Sequence, residues 1–336
     1  MNNMHPQSKK RVRSTIMLII IALLIFCIVF VTLTPYPAAY FLRSLFKKPN
    51  MAPPLNYATM EENVVVYSDL EYPSSFPNNT LDVYLPKNTD ENTPVVLWIH
   101  GGAYVGGDKS DIRYYATALA SEGYAVVCMN YALAPEHNYP TPLMQIDDMM
   151  NWINSVSDEY SFDISCIILA GDSAGAQLAM QYVIAVNSTA YAAQSGICIS
   201  PLPYEIKGLL LYCGPYNAQR MANADGVLKF FLQRSAWAYF NTDNWVEEFG
   251  YVISVDAHIT PFLPPAFITD SNTLSFEAHG IDLVHAFQVN NIYVESYFFS
   301  VDFEKTIHEY QFLMDTPAGE ECFRRTLYFL EIICNR

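Results

Sequence analysis

Gly171-Asp172-Ser173-Ala174-Gly175 follows directly on the apolar run Cys166-Ile167-Ile168-Leu169-Ala170. A short buried strand running into a Gly-x-Ser-x-Gly turn holds a serine hydroxyl on a sharp bend, which the flanking glycines make possible. That serine becomes a nucleophile if a base takes its proton, and its attack on an acyl carbonyl puts negative charge on the carbonyl oxygen. The pattern alone occurs by chance in roughly one chain in ten of this size at ordinary glycine abundance, so its surroundings decide. The residues after Ser173, Ala174-Gly175-Ala176-Gln177-Leu178-Ala179-Met180-Gln181-Tyr182-Val183, form helix readily, which completes a strand, turn and helix.

A second segment supplies what the developing charge requires. His100-Gly101-Gly102-Ala103-Tyr104 ends the apolar strand Pro94-Val95-Val96-Leu97-Trp98-Ile99 in residues free to take unusual backbone angles. Such a turn aims successive N–H groups into one cavity, where they stabilise a tetrahedral oxyanion more than the ground state. The expected donors are Gly101, Gly102 and the N–H of Ala174. His100 is expected to brace the loop.

These two blocks and a third between them, Tyr131-Ala132-Leu133-Ala134-Pro135-Glu136-His137 continuing through Tyr139-Pro140, carry a resemblance. The chain resembles α/β-hydrolases of the hormone-sensitive-lipase-like esterase branch over roughly residues 60 to 336. Three spaced blocks in order are specific for the fold and less so for the substrate. The resemblance implies a base in a loop after the last strand, which is expected over Ile292 to Phe299. His308, in Thr306-Ile307-His308-Glu309-Tyr310, fits that place. Of the other histidines, His5 is in the N-terminal tail, His100 and His137 lie inside the blocks, and His258, His279 and His285 precede the last strand.

The acid departs from the family pattern. Aligning Pro264 to Leu274 with little or no gap puts Thr273 or Leu274 where the family carries its aspartate, so Asp270 must serve through a shorter loop. Asp-Ser-Asn is also ordinary turn chemistry. Glu277, Asp282, Asp302 and Glu304 are the other carboxylates in range. The order Ser173, Asp270, His308 is the Ser-acid-His order of this fold.

Strands are expected near residues 64–67, 81–85, 95–99, 125–129, 166–169, 209–212, 266–268 and 293–299, alternating with helices from the third onward. Val, Ile and Leu on both faces predict a mostly parallel eight-stranded sheet between helices, and the resemblance implies that it is an α/β-hydrolase fold over 63–336. The stretch 217–259, rich in Phe, Trp and Tyr, is expected to form a cap insertion. A terminal helix carries Phe323, Leu327, Leu330 and Cys334 at helical spacing.

Ahead of this domain, residues 16–31 are an unbroken apolar run, extended by Thr32-Leu33. About 18 residues at 1.5 Å each approach the thickness of a bilayer core, so 14–34 is expected to anchor the chain behind a short tail, 1–13. A cleaved signal peptide is the competing reading, but Ala38-Ala39-Tyr40 is a poor cleavage site. Lys9, Lys10, Arg11 and Arg13 precede the span and Arg43, Lys47 and Lys48 follow it at some distance, a small bias that favours a cytoplasmic tail and an external catalytic domain at the cell membrane. Residues 35–62, broken by Pro35, Pro37, Pro49, Pro53 and Pro54, are expected to be a juxtamembrane linker or a lid.

Seven cysteines form no disulfide or zinc spacing. Cys128, Cys166 and Cys213 are expected in buried strands as small hydrophobes, and Cys322 and Cys334 lie roughly 18 Å apart on one helix, too far to pair. A net charge of −16 with no basic stripe in the catalytic region argues against nucleic acid as a partner. No metal or cofactor is expected. The reading is a membrane-anchored serine esterase for small, short-chain or acetyl esters. A non-catalytic binding protein on the same fold, and an amide or peptide hydrolase, are the alternatives.

Overall fold

The computed structural model describes residues 6–47, 50–87, 93–202, 205–300 and 305–335, and of residues 6–12, 227 and 228 the backbone only. His5, Lys48, Pro49, Asp302 and Glu304 lie outside the described residues, and so do the side chains of Lys9, Lys10 and Arg11.

Eight strands form one sheet: β1 (Val64–Glu71), β2 (Thr80–Pro86), β3 (Thr93–Ile99), β4 (Ala125–Met129), β5 (Phe162–Asp172), β6 (Ile206–Tyr212), β7 (Ala266–Thr269) and β8 (Val294–Tyr297). Their order is β1-β2-β4-β3-β5-β6-β7-β8, parallel except where β2 pairs β1 and β4. The expected strands are all present. β5 starts four residues before its expected apolar run, at Phe162, and a register shift beside Pro94 accommodates the extra length.

The helices are α1 (Pro6–Leu33), α2 (Tyr36–Leu45), α3 (Tyr57–Glu62), α4 (Arg113–Ser121), α5 (Thr141–Ser155), α6 (Ser157–Tyr160) and α7 (Ala174–Asn187). They continue with α8 (Thr189–Gln194), α9 (Ala218–Ala222), α10 (Gly226–Phe240), α11 (Trp245–Ile253), α12 (Glu277–Val289) and α13 (Pro317–Ile333). Side chains of a strand alternate between faces, so one strand feeds two cores. Val95, Leu97 and Ile99 pack with α5 and α7, whereas Val96 and Trp98 pack with Tyr115 and Leu119 of α4 and Phe329 and Leu330 of α13. Every residue of β3 and β4 is buried, as expected for parallel strands covered on both faces. Helices α9 to α11 fill the expected cap segment, with Ala236, Tyr239 and Trp245 buried in the first of these cores. The described cysteines are all free.

The apolar stretch Arg13–Leu33 of α1 is a helix with none of its length buried. After two intervening residues α2 begins, and it packs onto the domain through Ala38, Ala39 and Leu42. One arginine fixes it. Arg43 donates from Nε to Val105 O (2.6 Å) and from Nη2 to Ala134 O (2.6 Å), and grips both carboxylate oxygens of Glu136 at 2.8 and 2.6 Å. A bidentate guanidinium–carboxylate pair with two further carbonyl acceptors holds a helix in one orientation. The close approach requires Gly106, where a Cβ would lie 2.9 Å from Phe46 Cδ2 and 3.1 Å from Arg43 Cα.

Candidate active site

Ser173, Asp270 and His308 all lie beyond the C-terminal ends of strands: β5, β7 and β8 respectively. Ser173 adopts φ 50° and ψ −119°, a conformation costly for any residue with a side chain. Its N–H donates to Tyr212 O of β6 at 2.7 Å. Gly171 and Gly175 are required here: a Cβ on Gly171 would lie 2.5 Å from Gly175 C and O, and one on Gly175 would lie 2.0 Å from Ile99 O. The expected elbow is thus closed by backbone against backbone.

His308 Nε2 lies 3.0 Å from Ser173 Oγ, hydrogen-bonding distance for taking the hydroxyl proton. The ring of Phe276 meets the imidazole edge-on at 5.4 Å. Asp270 is buried but makes no direct hydrogen bond to His308. Ser275 stands between them, its Oγ 2.6 Å from His308 Nδ1 and its proton donated to Asp270 Oδ1. Asp270 Oδ1 also accepts the Ser271 N–H at 2.7 Å.

Two loops are pinned together to make this possible. Asn272 N–H donates to Thr306 Oγ1 (3.1 Å), Thr306 N–H donates to Asn272 Oδ1 (3.0 Å), and Thr273 bridges Ile307 in parallel. Leu274, one of the two positions where the family pattern puts its acid, takes φ 51° and points outward. Of the other carboxylates, Glu277 starts α12 and Asp282 is bonded to Arg220.

Burial pushes the Asp270 carboxyl up to about 6, opposed first by the His308 charge and then by the Ser275 hydroxyl. The same burial lowers His308, and the charge of Asp270 opposes that. His308 is therefore neutral, and able to accept a proton, over a wider range than a free imidazole. Cys213, Asp270 and His308 bring potential ligand atoms within 4.8 Å of one another. Burial raises the Cys213 thiol well above its ordinary value, which keeps it protonated and a poor metal ligand.

The expected donor Gly101 requires correction. Its N–H already donates to Asp172 Oδ2 at 2.8 Å, while Trp98 Nε1 donates to Asp172 Oδ1 at 2.8 Å. The motif aspartate thus ties the glycine turn to the elbow and withdraws Gly101 from any oxyanion. Among the described residues no acceptor takes the N–H groups of Gly102, Ala103 or Ala174. Gly102, Ala103 and Tyr104 have φ of 104°, 52° and 63°, a left-handed run that reverses the chain beside Ser173. His100 braces this loop as expected, with Nδ1 2.7 Å from Gly101 O and its ring stacked on Tyr131 at 4.3 Å.

These groups border a cavity of about 390 Å³. Its apolar wall comes from Leu42, Leu45 and Phe46 of the α2 segment, Phe231 and Leu232 of α10, and Phe312. Near Ser173 the lining turns acidic, with Asp111, Asp172 and Glu309. Burial pushes Glu309 and Asp111 each up to about 7 and Asp172 upward as well, the Glu309 charge adding to the effect on Asp172. Neither Ser275 nor Glu309 stands out in sequence. Asp172 could have been found from its fixed place inside the pentapeptide.

The molecule is similar to esterase B from Lactobacillus Rhamnosis, with a TM-score of 0.73, 21% identity, and coverage of 89% of this chain and 92% of that one. In sequence it is similar to a kynurenine formamidase from Danio rerio, 33% identical over 139 residues, 41% of this chain and 43% of the relative. It is also similar to carboxylesterase NlhH from Mycobacterium tuberculosis, 35% identical over 139 residues, 41% of this chain and 40% of the relative. The chain spans less than half the length of these curated relatives. The BD-FAE family matches residues 81–272, which include the glycine turn, the elbow and Asp270 and stop short of His308. With more than half of its length matched and the sheet order described above, the chain belongs to the BD-FAE family of α/β-hydrolases.

Proposed function

We propose that this protein is a membrane-anchored serine hydrolase that cleaves short-chain carboxylic esters through an acyl-enzyme. The observation that carries the reading is the 3.0 Å approach of His308 Nε2 to a Ser173 hydroxyl held on a strained turn. His308 takes the Ser173 proton as Oγ attacks the acyl carbon. The oxyanion so formed is met by the N–H groups of Gly102, Ala103 and Ala174, which are free of other acceptors. The imidazolium donates through Nδ1 to Ser275, whose own proton rests on Asp270, so the carboxylate stabilises the cation across one hydroxyl. His308 then protonates the departing alcohol. Water repeats the sequence on the acyl-enzyme, and Ser173 is regenerated with release of the acid.

Similarity to proteins named carboxylesterase and acetyl esterase supports ester substrates. Similarity to one named formamidase keeps amide cleavage as the second reading. The cations Lys9, Lys10, Arg11 and Arg13 before the apolar helix support a cytoplasmic tail and a domain outside the cell membrane. The test is hydrolysis by the full-length protein of p-nitrophenyl acetate and the matching anilide, with Ser173→Ala as control. Ester turnover should fall by about 10⁴-fold or more in the variant. Ester turnover that survives Ser173→Ala rejects the assignment, and equal rates on ester and anilide favour the amide reading.

A further inference from the structure

The apolar helix and the cavity are not separate parts. Only two residues separate α1 from α2, and Leu42, Leu45 and Phe46 form cavity wall. On the facing helix α10, Phe231 and Leu232 line the cavity, and within the next turn Arg234 Nη1 donates to Thr32 O (3.0 Å) and Thr34 O (3.3 Å). Phe41 of α2 and Phe231 of α10 stack at 5.9 Å where the two helices meet. One stretch of α10 therefore touches both the exit of the apolar helix and the substrate space. Leu42 lies on the second turn of α2, nine positions after the last residue of the apolar helix.

The surface around that junction has the chemistry of a bilayer interface. Tyr36, Tyr40, Phe41, Leu45 and Phe230 are all at least two-fifths exposed. Arg43 lies over the Tyr40 ring at 5.2 Å, and Arg234 lies over Phe230 and Trp237 at 5.4 and 5.0 Å. Aromatic rings with cations at the end of an apolar helix favour the headgroup layer. The first sixty residues hold seven Lys and Arg and no Asp or Glu, so all 34 carboxylates of the chain lie beyond them. Three of the seven, Arg43, Lys47 and Lys48, follow the apolar run, and no acidic residue comes after it until Glu61.

On the esterase reading above, we propose that the substrate is an uncharged ester dissolved in the bilayer, an acylglycerol-type molecule, entering between α2 and α10 without crossing bulk water. Its apolar body replaces water along Leu42, Phe46, Phe231 and Leu232. Among the described residues, the cavity lining includes no Lys or Arg to meet an anionic headgroup at the reacting end. Because Arg43 fixes α2 to the core, the wall persists if the domain is moved away from the membrane, and access can be tested apart from chemistry.

The experiment uses the full chain in vesicles of ether-linked phosphatidylcholine, which contains no ester, with dioctanoylglycerol in the bilayer and p-nitrophenyl butyrate in the buffer. A Gly/Ser insert of about 12 residues between Thr34 and Pro35, with a reach of about 20 Å, is combined with Arg234→Ala to release the domain. Dioctanoylglycerol hydrolysis should fall by about tenfold or more while butyrate hydrolysis stays within about twofold. Equal retention of both rates overturns the proposal, as does a native protein that cleaves the butyrate and never the dioctanoylglycerol. If the insert lowers both rates alike, Tyr36→Asp with Phe230→Asp decides, since these change only exposed rings outside the cavity. Selective loss of dioctanoylglycerol hydrolysis upholds bilayer access, and unchanged rates reject it. A native protein inactive on both substrates rejects the esterase reading itself.

Discussion

Ser275 Oγ lies 2.6 Å from His308 Nδ1, in the place where a carboxylate oxygen would orient a catalytic imidazole. Because the Ser275 hydroxyl donates its hydrogen bond to Asp270, the acid acts on the base through a hydroxyl. Ser275→Ala should lower kcat by roughly 10- to 100-fold with KM changed by less than about twofold, and Ser275→Thr, which keeps a hydroxyl, should recover most of the rate. Steady-state kinetics of both variants checks this. An alanine variant with native kcat would mean that Asp270 reaches His308 without the serine.

The pH profile carries a sign. His308 must be neutral to act, and burial lowers its proton affinity, so kcat/KM should hold down to below about pH 6.5 before falling. The charge of Asp270 raises His308, so Asp270→Asn should move that acidic limb to still lower pH while cutting kcat by about 10²-fold or more. A limb that moves upward in the variant would contradict the pairing.

Asp172 accepts from both Trp98 Nε1 and Gly101 N, one donor on each oxygen. An amide offers only one acceptor atom. Asp172→Asn leaves one buried donor without a partner and should cost about 1–3 kcal/mol of stability, read as a lower denaturation midpoint in detergent. The turnover should fall as well, since the glycine turn is tied to the elbow through this carboxyl.

Gly175→Ala places a Cβ about 2 Å from the carbonyl oxygen of Ile99, where both partners are backbone. Destabilisation of about 3 kcal/mol, or failure to accumulate folded protein, is the expected result of an expression and thermal-melt comparison with the native chain.

Much of this architecture was legible because it is written in contiguous residues. The elbow and the glycine turn each need a strand, a small residue at a fixed step and a helix or reversal, and all of these lie within about ten positions. The continuous apolar runs of β3 to β6 are equally local. What sequence did not disclose depends on distant partners. The Gly101 N–H is taken by Asp172, 71 positions away, and no property of a Gly-Gly pair signals that. Asp270 was placed correctly at the end of β7, but the serine joining it to His308 depends on the Asn272–Thr306 pinning, which unites two loops 34 residues apart. Residues 35–62 were ambiguous because their prolines look like linker punctuation. Arg43 of this stretch grips Glu136, 93 residues on, a contact that no local feature signals.

That grip has a practical consequence. Proteins with an N-terminal apolar helix are commonly made water-soluble by cutting the gene after it, and here a start near position 50 would delete Leu42, Arg43, Leu45 and Phe46 together. Such a shortened product would keep Ser173 and His308 but leave the Glu136 carboxylate bare and one flank of the acyl compartment open to solvent. Selectivity measured on it would belong to a different vessel from the one the whole polypeptide builds.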